Sequence, residues 1–145
     1  MPEVISQIRE QLSNDRSSRL QVNMSTSLDP VAVPRAGLVQ VLSSLLRNAF
    51  DAGDTSRPVV LDVSQHNGFV RLSVCDEGGG MSPEILKRAG EPFYTTKEPG
   101  RGLGLGLFLA RVFAERCGGT LTLQSDRGVM AILELPVWPA QGSRS

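Results

Sequence analysis

The sequence predicts a two-layer α/β (α+β) sandwich, in which a mixed, largely antiparallel sheet is covered on one face by helices. Three observations carry this. Asn67-Gly68 separates two runs rich in branched and alternating apolar residues, 59–64 and 69–75, and both positions of so short a hairpin turn need positive φ. Two further apolar runs, 120–125 and 129–136, flank Asp126-Arg127-Gly128 and read as a second strand pair. Two long segments read as helices: 36–52, with Leu38, Val41, Leu42, Leu45 and Ala49 on one face, and 103–117, closed by Gly118-Gly119. Hairpins mixed with a few helices suit a sheet with a single helical layer.

The remaining elements follow in order. Val4, Ile5, Ile8 and Leu12 recur at helical spacing, so the chain opens with a short amphipathic helix that Ser13, Asn14 and Asp15 break. Residues 20–24 read as a strand, and Asp29-Pro30 and Pro34 mark an irregular connection. Gly53-Asp54 stops the long helix. Ser82-Pro83, an N-cap followed by proline at the first helical position, starts a short helix. Residues 90–102 lack periodicity and carry Pro and Gly, the pattern of a mobile lid. The organisation expected is an N-terminal helix and connection over 1–19, one domain over 20–138 and a flexible tail over 139–145.

Composition narrows the function classes. A chain of 145 residues is the size of one domain, and 40% hydrophobic with 21% charged residues is ordinary for a globular protein. A formal net charge of +0 argues against a nucleic-acid surface, which needs excess Lys and Arg to displace counterions. No apolar run reaches bilayer length, and no signal peptide opens the chain. Cys75 and Cys117 show no metal-ligand spacing and read as reduced thiols of a cytoplasmic protein.

Three motifs carry chemistry. Ser44, Asn48 and Asp51 share one face of the long helix, opposite Leu42, Leu45 and Ala49. An amide oxygen at Asn48 suits Mg²⁺, which keeps most of its waters and takes one or two protein oxygens beside phosphates; an idle solvated face accounts for the same residues. Asp76, at a strand end before Glu77-Gly78-Gly79-Gly80-Met81, can accept a hydrogen bond from the exocyclic amine of adenine, where guanine carries a carbonyl. A flexible turn explains that hexapeptide equally well. Gly102, Gly104 and Gly106 alternate with Leu103, Leu105 and Leu107 at a helix start, where outward amides and the macrodipole favour phosphate. This is neither a dinucleotide fingerprint nor a Walker loop. Between the last two motifs Phe93 and Tyr94 can anchor the lid, and Lys97 and Arg101 can reach a triphosphate.

Residues 40–52, 76–81, 91–97 and 102–107 resemble, in order, the asparagine, first glycine, phenylalanine and second glycine boxes of the GHKL ATP-binding superfamily. The run GEPFYTTKEPGRGLGLGLFLAR over 90–111 is especially similar to RegB/PrrB-type redox-responsive sensor kinases. The resemblance spans residues 20–136 and implies the Bergerat ATP-binding fold, with ATP and Mg²⁺ as cofactors. It implies that Asn48 ligates Mg²⁺, Asp76 reads adenine, Gly78 and Gly80 line the base beside Met81, and Gly102, Gly104 and Gly106 wrap the phosphates. Asp51, Phe93, Thr95, Thr96, Leu103, Leu105 and Leu107 complete the implied binding set. Asn48, Lys97 and Arg101 are the catalytic candidates, the two cations for the γ-phosphate.

Departures qualify the transfer. Many histidine kinases carry Asn at the place of Ser44 and Lys at that of Asp51, so neither contact carries over; Val129 stands after Gly128 where a Thr is common. In the gyrase, MutL and Hsp90 branches a Glu one turn before the Asn orients the attacking water. Ser44 holds that place here and cannot act as a general base near neutral pH. A nucleotide cradle without a hydrolytic base suits transfer to an imidazole. His66 precedes a turn and reads as an exposed turn residue, not the acceptor. The resemblance therefore implies the catalytic domain of a two-component histidine kinase, whose phosphoacceptor histidine lies on a separate helical dimerisation domain. Residues 1–19 would be a remnant of that junction, and the chain a fragment. Expected partners are that domain and a response regulator, with no nucleic acid and no direct membrane contact. The isolated domain is expected to be monomeric and cytoplasmic, and the parent a homodimer in or at the inner membrane of a bacterium. The alternative function is a GHKL ATPase or a nucleotide-gated interaction module.

Overall fold

Apolar residues alternate along each central strand, and the pairing register stacks them on one face. The computed structural model describes residues 1–52, 57–76, 106–125 and 128–138. Strands β1 (Leu20–Met24), β2 (Val59–His66), β3 (Phe69–Cys75), β4 (Thr120–Ser125) and β5 (Val129–Pro136) form one sheet in the order β1-β2-β3-β5-β4. Leu61 lies opposite Val74, Val63 opposite Leu72, and Leu72 opposite Leu133. All are buried on the inner face, as period-2 alternation requires when one face is covered. β1 and β2 are parallel and the other pairs antiparallel. A parallel pair needs a crossover, which here is helix α3 (Arg35–Ala52).

Among the described residues the helical layer is α1 (Pro2–Gln11), α3 and α4 (Gly106–Arg116). Leu38, Val41, Leu42, Leu45 and Ala49 of α3 are buried as the periodicity predicts; Val39, Leu46 and Phe50 are buried as well. Its apolar arc is wider than expected because α3 has α1 and α4 as neighbours besides the sheet. From α1, Val4, Ile5 and Ile8 enter the same core. α4 ends as its glycines foretell. The Gly118 N–H donates to Glu115 O at 3.1 Å and the Gly119 N–H to Ala114 O at 2.7 Å, with Gly118 at φ +84°, a Schellman cap.

The hairpin turn holds Asn67 at φ 52° and Gly68 at φ 82°, and β2 continues to His66, two residues beyond the predicted end. Gly68 has open space around it, so Gly68→Ala tests conformation alone. The expected cost is about 1 kcal/mol, read as a melting temperature lower by roughly 2–4 °C.

One expectation fails. Ser13, Asn14 and Asp15 do not merely end α1; Ser13 caps a second helix, α2 (Asn14–Arg19), its hydroxyl accepting the Arg16 N–H at 3.2 Å. The residue types that stop a helix are also the best N-caps. α2 buries no residue, so no apolar period announces it. It is held from outside, the Arg9 guanidinium donating to the Ser17 and Leu20 carbonyls at 2.8 and 3.2 Å.

Candidate functional site

The strand register fixes which end of the sheet holds the predicted site. β3 runs from Phe69, paired with His66, to Cys75, paired with Val60 and Met130. Asp76 therefore sits where β2 and β5 begin. It is 4% exposed. Its N–H donates to Val129 O at 3.1 Å, and its Oδ1 faces the Val129 N–H at 3.4 Å. Gly128 makes this join feasible: a Cβ there would overlap the Asp76 carbonyl oxygen. No local pattern in the sequence links these two residues.

α3 crosses back along the sheet to end near the start of β2, which carries Asn48 to the same end. Ser44 and Asn48 are half-buried. The first residue of α4 lies against them: a Cβ on Gly106 would stand 2.7 Å from Ser44 Oγ and 3.6 Å from Asn48 Nδ2. At Ser44 and Asn48 this face of α3 is thus packed against the first residue of α4. Leu107 beside Gly106 is partly buried and packs against the core.

Asp51, one turn past Asn48, is engaged by a residue that sequence reasoning missed. Arg16 Nη2 of α2 lies 2.8 Å from Asp51 Oδ1. The guanidinium carbons of Arg16 and Arg19 stand 5.3 and 5.1 Å from the Phe50 ring centroid. Only a recognised α2 would have signalled this cluster.

Gly78, Gly80, Met81, Phe93, Thr95, Thr96, Lys97, Arg101, Gly102, Leu103, Gly104 and Leu105 lie outside the described residues, as do the predicted short helix at 82 and the lid. His66 is exposed at the hairpin end, six residues along β2 from Val60 and so about 20 Å from the Asp76 end. The two cysteines form no disulfide; Cys75 lies beside Asp76 and Cys117 at the far end of α4. Among the described residues no group of three or more His, Cys, Asp or Glu side chains is arranged to hold a metal ion. No described helix is long and apolar enough to cross a membrane.

Known proteins resemble this chain in sequence and in fold. The chain is 41% identical over 108 residues to the two-component sensor PprA of Pseudomonas aeruginosa, covering 69% of this chain and 12% of that protein. It is 32% identical over 128 residues to sporulation kinase E of Bacillus subtilis, covering 86% of this chain and 17% of the relative. The chain thus spans less than a fifth of the length of either relative. Among solved structures, the nucleotide-free catalytic domain of histidine kinase ThkA superposes with a TM-score of 0.80 at 27% identity, over 94% of this chain and 92% of that one. The family model described as histidine kinase-, DNA gyrase B-, and HSP90-like ATPase matches residues 34–139, and with most of its length inside that match the chain belongs to this family.

Proposed function

We propose that this chain is the ATP-binding catalytic domain of a sensor histidine kinase, which presents the γ-phosphate of ATP to a histidine on a separate helical dimerisation domain. One observation carries the reading. The Asn48 amide lies against the glycine-led start of α4, at the end of the sheet where the buried Asp76 carboxylate is fixed. The donor set fits the nucleotide: an acceptor-only carboxylate for the adenine amine, an amide oxygen for a hard cation, and a helix N-terminus for phosphate. Asn48 would hold Mg²⁺, which supplies charge neutralisation to the phosphates when bound. Gly106 and Leu107, with Gly102, Leu103, Gly104 and Leu105 before them, would surround the phosphates. ATP–Mg²⁺ would bind under the 90–101 segment read as a lid, from which Lys97 and Arg101 are the γ-phosphate candidates and Phe93, Thr95 and Thr96 belong to the binding set. The chain's own contribution is positioning and electrostatics.

Ser44 at the polar face, in place of an acid, favours transfer over hydrolysis. The acceptor comes from another domain, because His66 lies at the opposite end of the sheet. The parent would act in a bacterium, with a response regulator downstream. The run over 90–111 supports a RegB/PrrB-type, redox-responsive parent as the finer assignment.

The test mixes this chain with the separately expressed histidine-bearing domain and γ-labelled ATP·Mg²⁺. Label is expected on the histidine, with slow turnover of ATP when the acceptor is omitted. Brisk hydrolysis without acceptor would establish the ATPase instead, and ATP binding with neither transfer nor hydrolysis would leave an interaction module.

A further inference from the structure

Asp51 places a formal negative charge on the face of α3 that carries Asn48, one turn further on. A carboxylate there repels the phosphates of a nucleotide bound at Asn48. The fold answers it with a residue 35 positions away: Arg16 Nη2 lies 2.8 Å from Asp51 Oδ1. The guanidinium is held by more than this pair. It stands 5.3 Å from the Phe50 ring centroid, and Phe50 is itself 4% exposed. The helix presenting Arg16 is capped by Ser13 and tied by Arg9 to the carbonyls of Ser17 and Leu20. A six-residue helix that buries no side chain is thus fastened at both ends so that its arginines meet the last turns of α3.

We propose that Arg16 is a positioning residue of the nucleotide site: by pairing with Asp51 it offsets the carboxylate and fixes the last turns of α3, so that the face carrying Asn48 accepts a polyanion. This rests on the nucleotide reading given above. A purely structural role has its own rationale, since α3 has no basic residue in its last turn and a cation there favours the helix dipole. The two roles differ in what they predict. A structural role alters stability and weakens all adenine nucleotides alike. Loss of charge compensation weakens them in proportion to their phosphate charge, and less so at high salt.

The experiment titrates the chain with ATP and AMP in the presence of Mg²⁺, at low and at physiological salt. Arg16→Ala removes the side chain, Arg16→Gln keeps much of the stem over Phe50 without the charge, and Arg16→Lys keeps the charge. Loss of charge is expected to weaken ATP about three- to tenfold while AMP changes less than about twofold, with most of the affinity kept in Arg16→Lys. Adding Asp51→Asn to Arg16→Gln is expected to return ATP affinity to within about twofold of wild type. Arg16→Gln that weakens ATP and AMP equally, or a double variant no better than the single, overturns the role of Arg16. Should Arg16→Ala not fold, the Gln variant decides. Wild-type chain that binds no ATP overturns the nucleotide reading itself, and this inference with it.

Discussion

Asp76→Asn is expected to lower affinity for ATP by roughly 10- to 150-fold with little loss of folding stability. The factor corresponds to about 1.5–3 kcal/mol for a hydrogen bond with a charged partner. Asp76 is buried at a strand end, its backbone paired with Val129. The asparagine is nearly isosteric, and its carbonyl can still face the Val129 N–H that Asp76 Oδ1 faces at 3.4 Å. What remains for the base is then an NH₂ group, a donor where the adenine amine needs an acceptor. The same NH₂ suits the guanine carbonyl, so the ratio of ATP to GTP affinity should fall further than ATP affinity alone. Titrations with both nucleotides beside a thermal melt measure this. Unchanged ATP affinity in a folded variant would remove Asp76 from base recognition.

Leu42→Ala is expected to produce the opposite pattern, a large loss of stability with recognition intact. Leu42 is 0% exposed on the face of α3 that meets the sheet and helical neighbours. Deleting three buried carbons loses their transfer free energy and leaves a cavity that packed neighbours fill only in part. The cost is about 2–5 kcal/mol, or a melting temperature lower by roughly 5–15 °C for a domain of this size. Because the side chain points away from the polar face, the folded fraction should still bind ATP, and saturating ATP should raise the melting temperature of variant and wild type similarly. A variant that melts normally would mean that α3 is not anchored through Leu42.

Much of the fold was legible because its signals are local. The 3.6-residue period of α3 picks out Leu38, Val41, Leu42, Leu45 and Ala49, all buried. Asn67-Gly68 demands a hairpin and adopts the two positive φ values that a tight turn needs. Gly118-Gly119 closes α4 through the hydrogen bonds its φ permits. Asn48 was visible as a residue type out of place in a helix interior, and Asp76 as an acid at a strand end before a glycine cluster. α2 was not legible, because its six residues carry no apolar period and its capping residues read equally well as a stop.

The sequence by itself determined the strands, the helices other than α2 and their order, and it nominated the residues at 44, 48 and 76 for chemistry, since each signal depends on neighbours within a few positions. Tertiary structure alone decided the strand order β1-β2-β3-β5-β4, the seating of Gly106 on Asn48, the close approach of Gly128 to Asp76, the Val129–Asp76 hydrogen bond across 53 positions, and the Arg16–Asp51 pair across 35. Such contacts exist only where the sheet and helices bury their apolar faces together. The free energy that selects them is shared over the whole core, and no short window of residues records it.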